Sequence, residues 1–108
     1  MVSLKEKYKM MALIIGEGAL EILQFLAKRE VGYFKELRDL KNIRTEKFFS
    51  PSTISFRLKE LIQCGAVSRQ IAVSSGRNVV AYKITDTGRQ SLELADKFEN
   101  ELRMILKE

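Results

Sequence analysis

Residues 50–88 restrict the fold more tightly than any other part of the chain, because they mark both ends of a helix and the turn of a hairpin. Ser50 can accept a hydrogen bond from a free N–H at a helix start, and Pro51 follows at the position where a missing N–H costs nothing. Ile54, Leu58, Leu61 and Ile62 recur at helical spacing, which predicts a helix over residues 51–64 with one buried stripe. Gly65 stands where helices commonly end in a left-handed residue. Residues 67–73 then alternate, with Val67, Ile71 and Val73 on one face beside Arg69. Ser74-Ser75-Gly76-Arg77-Asn78 has turn chemistry, and residues 79–84 read as the return strand. Asp86-Thr87-Gly88 opens a last helix over about residues 87–107. A capped helix, a short hairpin and another helix in immediate succession leave few folds open.

The preceding residues are helical in pattern. Ser3 with Glu6 resembles a capping box, and Leu4, Tyr8, Met11 and Ile15 predict a first helix over residues 3–15. Gly16-Glu17-Gly18 interrupts or bends it. A second helix over residues 19–30 carries Leu20, Leu23, Leu26 and Ala27 on one face and is closed by Gly32. Residues 33–40 predict a short third helix with Phe34, Leu37 and Leu40 inward, and residues 41–50 are polar and irregular. In the last helix Ala95, Phe98, Leu102 and Ile105 alternate in steps of three and four, the seam of a helix pair. A chain of 108 residues buries a modest core, so a second copy covering this seam is expected. The expected fold class is mainly α with a small β-hairpin (α+β). It forms one domain over residues 1–108, with the terminal helices of residues 1–15 and 89–108 available for a homodimer.

Composition removes much chemistry. Cys64 is the only cysteine, so no intrachain disulfide can form, and a reducing cytoplasm is the expected location. Histidine is absent, which excludes a Cys/His zinc site and any Ser-His or Cys-His nucleophile pair. Glu93, Asp96, Glu99 and Glu101 read as the solvated face of an amphipathic helix. No enzyme activity, cofactor or metal is expected. No run approaches the roughly 18 apolar residues of a membrane span, so no membrane partner is expected. The short apolar run near the N-terminus lacks a cleavage site and meets Glu17 at once, so it reads as a mature helix.

Charge is unevenly placed. The chain carries net +5. Between residues 50 and 89, Arg57, Lys59, Arg69, Arg77, Lys83 and Arg89 face only Glu60 and Asp86, a net +4, whereas residues 90–108 carry net −2. Basic charge on the helix and hairpin of a body with an acidic tail is the footprint of polyanion binding. On a helical wheel with Ile54 and Leu58 inward, Ser52, Phe56, Lys59 and Gln63 face away, flanked by Thr53, Ser55, Arg57 and Glu60. Short polar and basic side chains near a helix start suit a major groove, and Arg57 has the reach for two hydrogen bonds to guanine. Taken alone, Ser52 and Thr53 are better explained as helix-start chemistry; the basic hairpin behind them favours binding. Phe56 has two readings of equal weight: contact with a thymine methyl, or packing against Phe48 and Phe49. Ser75, Arg77 and Asn78 sit at the hairpin tip, where an arginine can enter a minor groove, with Arg69 adding charge to the ribbon. This is the layout of a helix-turn-helix with a wing, and double-stranded DNA is the leading ligand.

Phe-Lys-Glu-Leu (34–37), Ser-Pro-Ser-Thr-Ile-Ser-Phe-Arg-Leu-Lys-Glu-Leu (50–61), Gly-Ala-Val-Ser-Arg (65–69) and Tyr-Lys-Ile-Thr-Asp-Thr-Gly (82–88) together resemble winged-helix transcriptional regulators of the HxlR, PadR and MarR kind. The likeness spans about residues 19–90. It implies a dimeric, sequence-specific regulator that sets the 51–64 helix in the major groove of an inverted repeat and the 74–78 wing on flanking DNA. The stretch between Leu40 and Ser50 is longer than that family's usual tight turn, and the N-terminal tryptophan and cysteine frequent in HxlR-like proteins are missing. Alternatives from other classes are an architectural protein that coats DNA and a protein-interaction winged helix using Phe56. The sequence names no small-molecule effector.

Overall fold

The apolar stripes converge on one core. The computed structural model describes residues 1–107 and runs α1 (Leu4–Lys7), α2 (Lys9–Ile15), α3 (Ala19–Ala27), α4 (Phe34–Leu37), α5 (Pro51–Gln63), β1 (Val67–Ser74), β2 (Arg77–Ile84) and α6 (Asp86–Ile105). Ile22, Leu23 and Leu26 of α3, Leu37 of α4 and Ile54, Leu58 and Leu61 of α5 are buried together. Val67 and Ile84, paired at the base of the hairpin, close the core from the other side.

Helix α5 begins and ends as its residues dictate. Ser50 Oγ accepts the Thr53 N–H at 3.2 Å, a cap worth about 1 kcal/mol. At the far end the Gly65 N–H donates to the Ile62 carbonyl at 3.1 Å and the Ala66 N–H to the Leu61 carbonyl at 2.9 Å. This is a Schellman closure, with Gly65 at φ 84°.

The hairpin is longer and its turn tighter than the sequence pattern predicts. The ladder runs from Val67 opposite Ile84 to Ser74 opposite Arg77, leaving only Ser75 and Gly76 in the turn. Both have positive φ, 51° and 75°, as a type I′ turn requires to match strand twist. Arg77 and Asn78 therefore belong to β2. Gly32 adds a short third rung, exchanging two hydrogen bonds of 2.8 Å with Tyr82.

Helix α6 starts one residue earlier than expected, capped by Thr85. The Thr85 hydroxyl accepts the Gly88 N–H at 3.0 Å and donates to the Gly65 carbonyl at 2.6 Å. The Thr85 N–H donates to the Ala66 carbonyl at 3.0 Å. This clasp joins the end of α5, the start of β1 and the start of α6. A Cβ on Gly88 would lie 2.1 Å from the Ala66 carbonyl oxygen, so no side chain fits there.

Other expectations are corrected. The first helix breaks at Tyr8 (φ −111°, ψ 23°) into α1 and α2. Neither contains a fully buried residue, and only Leu13 and Ile14 of α2 pack partly against the core, so no core face spans the break. Helix α3 ends at Ala27, and its buried face is Ala19, Ile22, Leu23 and Leu26 rather than the stripe through Leu20. The third helix is a single turn, tightened by Leu40 N–H donating to the Leu37 carbonyl. The polar segment after it is built around Asn42, only 8% exposed, whose side-chain oxygen accepts the Arg44 and Thr45 N–H groups at 2.8 and 3.3 Å.

Helix α6 is 20 residues long, about 30 Å, and Gly88 is its one buried residue. The radius of gyration is 15.1 Å, against about 13 Å for a compact chain of this length. No single helix among the described residues is long and apolar enough to cross a membrane.

Candidate nucleic-acid interface

With Ile54, Leu58 and Leu61 facing the core, helical geometry turns the opposite side of α5 outward. Ser52, Ser55, Phe56, Lys59 and Gln63 are exposed, and Thr53 and Arg57 are half-buried at the flank. Ser52 and Thr53 join the cap: their hydroxyls lie 3.2 and 2.8 Å from Ser50 Oγ. The helix-start reading of these residues is the one seen here, a satisfied cap with hydroxyls at its edge.

The hairpin folds back beside this face. Ser55, Lys59 and Gln63 of α5 and Arg69 and Tyr82 of the hairpin border an open groove of about 330 Å³, floored by Leu58 and Ile62. Paired residues of an antiparallel ladder share a face, so Arg69, opposite Tyr82, looks into this groove. Lys83, opposite Ser68, and Arg77, opposite Ser74, stand on the other face. The wing therefore carries its charge on two sides rather than as one stripe. Ser75, Arg77 and Asn78 are all exposed at its outer end.

Phe56 remains 56% exposed, with the Arg57 guanidinium 5.2 Å from its ring centre. Phe49 is buried in the core, while Phe48 is exposed beneath the Lys41 ammonium at 5.1 Å.

Arg57 keeps its flanking wheel position, but its guanidinium turns back onto the protein. Its Nε donates to the Glu17 backbone carbonyl at 2.6 Å, and a terminal nitrogen donates to Glu60 Oε1 at 2.7 Å. Its side chain is 24% exposed. The guanidinium is engaged with the protein, which separates it from Ser52, Ser55, Lys59 and Arg69. Sequence reasoning left out Tyr82 as a site residue, although its register opposite Arg69 is set by the hairpin turn. Gln63 was visible on the wheel and joins the groove.

The seam of α6 lies apart from this face. Ala95 and Leu102 are half-buried, Phe98 is 40% exposed and Ile105 is 71% exposed. Leu94 and Met104 widen the apolar surface, and Met10, Met11 and Ile15 of α2 are exposed as well. Between α2 and the first half of α6 runs an apolar groove of about 500 Å³, into which Cys64 also opens.

The same architecture recurs in solved structures. Diamide-treated YodB from Bacillus subtilis superposes with a TM-score of 0.75 at 21% identity, covering 100% of this chain and 99% of that one. A regulator assigned to the MarR family, from Enterococcus faecalis V583, gives 0.71 at 16% identity, covering 96% and 89%. A PadR-family transcription regulator from Clostridium difficile R20291 gives 0.63 at 24% identity, covering 80% and 86%. No protein-family model matches the sequence, and no curated protein matches it. The chain has the winged helix-turn-helix fold found in transcriptional regulators of the YodB, MarR and PadR kind.

Proposed function

We propose that this protein is a transcriptional regulator that binds double-stranded DNA with sequence preference, as a homodimer in the cytoplasm. One observation carries the reading: an exposed polar and basic side of a capped helix, bordered by a basic hairpin, around an open groove of about 330 Å³. Ser52, Ser55 and Gln63 are suited to base edges or nearby phosphates, and Lys59 and Arg69 to phosphates. Arg77, with Ser75 and Asn78 at the wing tip, is suited to an adjacent minor groove. YodB and the PadR-family protein, which share this fold, are transcriptional regulators, and this points the same way.

The homodimer reading rests on the apolar surface of α6 around Phe98, Leu102 and Ile105, with the exposed methionines of α2. A surface of this kind is a normal interface signal on a small chain. Two copies would present two recognition helices to two half-sites.

Selection of duplexes from a random pool, followed by competition with random DNA across salt concentrations, tests the proposal. The expected result is a selected inverted repeat bound at least about 10³-fold more tightly than random duplex. A small ratio with a steep salt slope would favour an architectural coating protein instead. Exposed Phe56 is the observation that favours a protein-interaction module, and absence of duplex binding at moderate salt would make that the better account.

A further inference from the structure

The most firmly held side chain beside the proposed DNA face grips another part of the protein. Arg57 lies across the Gly16-Glu17-Gly18 turn: a Cβ on Gly16 would sit 3.5 Å from Arg57 Cζ, and one on Gly18 3.4 Å from Arg57 Cγ. Its Nε bond to the Glu17 carbonyl spans 40 positions of sequence. Glu17 is held a second time, because its carboxylate accepts Asn42 Nδ2 at 2.9 Å. Asn42 organises the loop that delivers the chain into α5, through the Arg44 and Thr45 N–H groups. The same loop is pinned to α3 where the Ile43 N–H donates to Glu21 Oε2 at 3.0 Å.

Glu17 is thus a joint of three parts: the recognition helix, the loop leading into it, and the α2–α3 junction. A guanidinium presents donors at fixed angles, so one side chain can bind the Glu17 carbonyl and Glu60 together, which a lysine does not reproduce. Buried or half-buried charge-assisted bonds of this kind are stronger than neutral ones.

We infer that Arg57 is a positioning residue rather than a DNA contact: through Glu17 it fixes the tilt of α5 relative to the α2 arm. This rests on the DNA-binding reading above. Because α2 also carries exposed apolar residues at the proposed dimer surface, the tie makes the arrangement of the two arms felt as the angle of each recognition helix. Two half-sites demand a set spacing and angle. Random duplex is held mainly by phosphate contacts. Loosening the tie therefore penalises the selected site and spares random DNA.

The test uses the full chain and the variants Arg57→Gln and Asn42→Ala, with folding checked by circular dichroism. Binding to the best duplex from the random pool and to random duplex is measured across salt. Amide hydrogen exchange is followed without DNA. Arg57→Gln is expected to lower affinity for the selected duplex roughly tenfold, as loss of a charge-assisted bond implies. Random binding and the salt slope stay as in wild type. Exchange at Arg44 and Thr45 quickens, because Arg57 reaches them through Glu17 and Asn42. Asn42→Ala loses the same preference from the other side of Glu17, and the double variant loses less than the product of the two. If Arg57→Gln lowers the salt slope by about one and weakens both duplexes equally, Arg57 is a phosphate contact and the inference is overturned. Unchanged exchange at Arg44 and Thr45 overturns it too. A wild-type protein without any preferred duplex refutes the sequence-specific reading itself, and the exchange result then still decides whether the tie exists. Should Arg57→Gln not fold, Arg57→Lys, which keeps the charge but cannot hold Glu17 and Glu60 together, is expected to lose the same preference with the salt slope unchanged, and wild-type preference in that variant overturns the inference.

Discussion

Gly88→Ala places a single methyl group at the most crowded of the glycine positions. The new Cβ would meet the Ala66 carbonyl oxygen at 2.1 Å and Ile84 Cγ1 at 2.7 Å. The Ala66 oxygen has no easy retreat, since it accepts the Thr85 N–H at 3.0 Å. Helix α6 must therefore lift away from β1, straining the Thr85 cap and its bond to Gly65. Overpacking costs about 1–3 kcal/mol, and weakening the cap and a backbone bond costs about 1 kcal/mol each. Against this, alanine is about 1 kcal/mol better than glycine inside a helix. The net expected destabilisation is about 2–4 kcal/mol. With a urea dependence of about 2 kcal/mol per molar, the unfolding midpoint falls by roughly 1–2 M. The assay is urea unfolding followed by circular dichroism at one fixed protein concentration, because dimerisation would couple stability to concentration. Gly76→Ala is the control. Nothing lies within 4 Å of its added Cβ, but its φ is +75°, so it should cost only about 1–2 kcal/mol. A Gly88→Ala protein as stable as wild type would falsify the close-approach argument.

Three further outcomes follow from the same geometry. Leu102→Glu, in the middle of the α6 seam, should convert a homodimer to monomer in sedimentation at micromolar concentration; a wild-type protein that is already monomeric there ends the dimer proposal. Arg77→Ala should weaken binding to selected and random duplexes alike and reduce the salt slope by about one, whereas an unchanged slope would remove the wing from the interface. Ser50→Ala deletes the α5 cap and should cost about 1 kcal/mol in urea unfolding; no loss would mean that water or Thr53 replaces the cap fully.

The parts of the fold that were legible in the sequence are those set by neighbours along the chain. Ser50, Pro51 and Gly65 act within one or two turns of themselves, so their spacing marked α5 almost to the residue. The hairpin was legible for the same reason, and its turn was misjudged only because Ser74, Arg77 and Asn78 suit either a loop or a ladder. Extended contacts were not legible. Nothing near Asn42 announces a partner 25 positions away, so its segment read as irregular when it is built around one buried amide. Arg57 occupies the wheel position expected of it, but a long side chain can turn back from its Cβ direction, and only the fold places the Glu17 carbonyl within reach. The break at Tyr8 reflects the same limit, since amphipathic spacing predicts a continuous helix only where a core holds it straight.

The short rung between Gly32 and Tyr82 also governs how the protein behaves among its own copies. It covers the outer side of β2 at Tyr82, at the base of the hairpin, whereas among the described residues no such rung covers the outer side of β1. That strand also exposes Ile71 and Val73. Unpaired, apolar strand edges template the addition of further strands, and charges along them oppose it. Arg69 is the one charge on β1, and a charge on an open edge opposes edge-to-edge pairing. Neutralising Arg69 should therefore lower solubility even in preparations that contain no DNA.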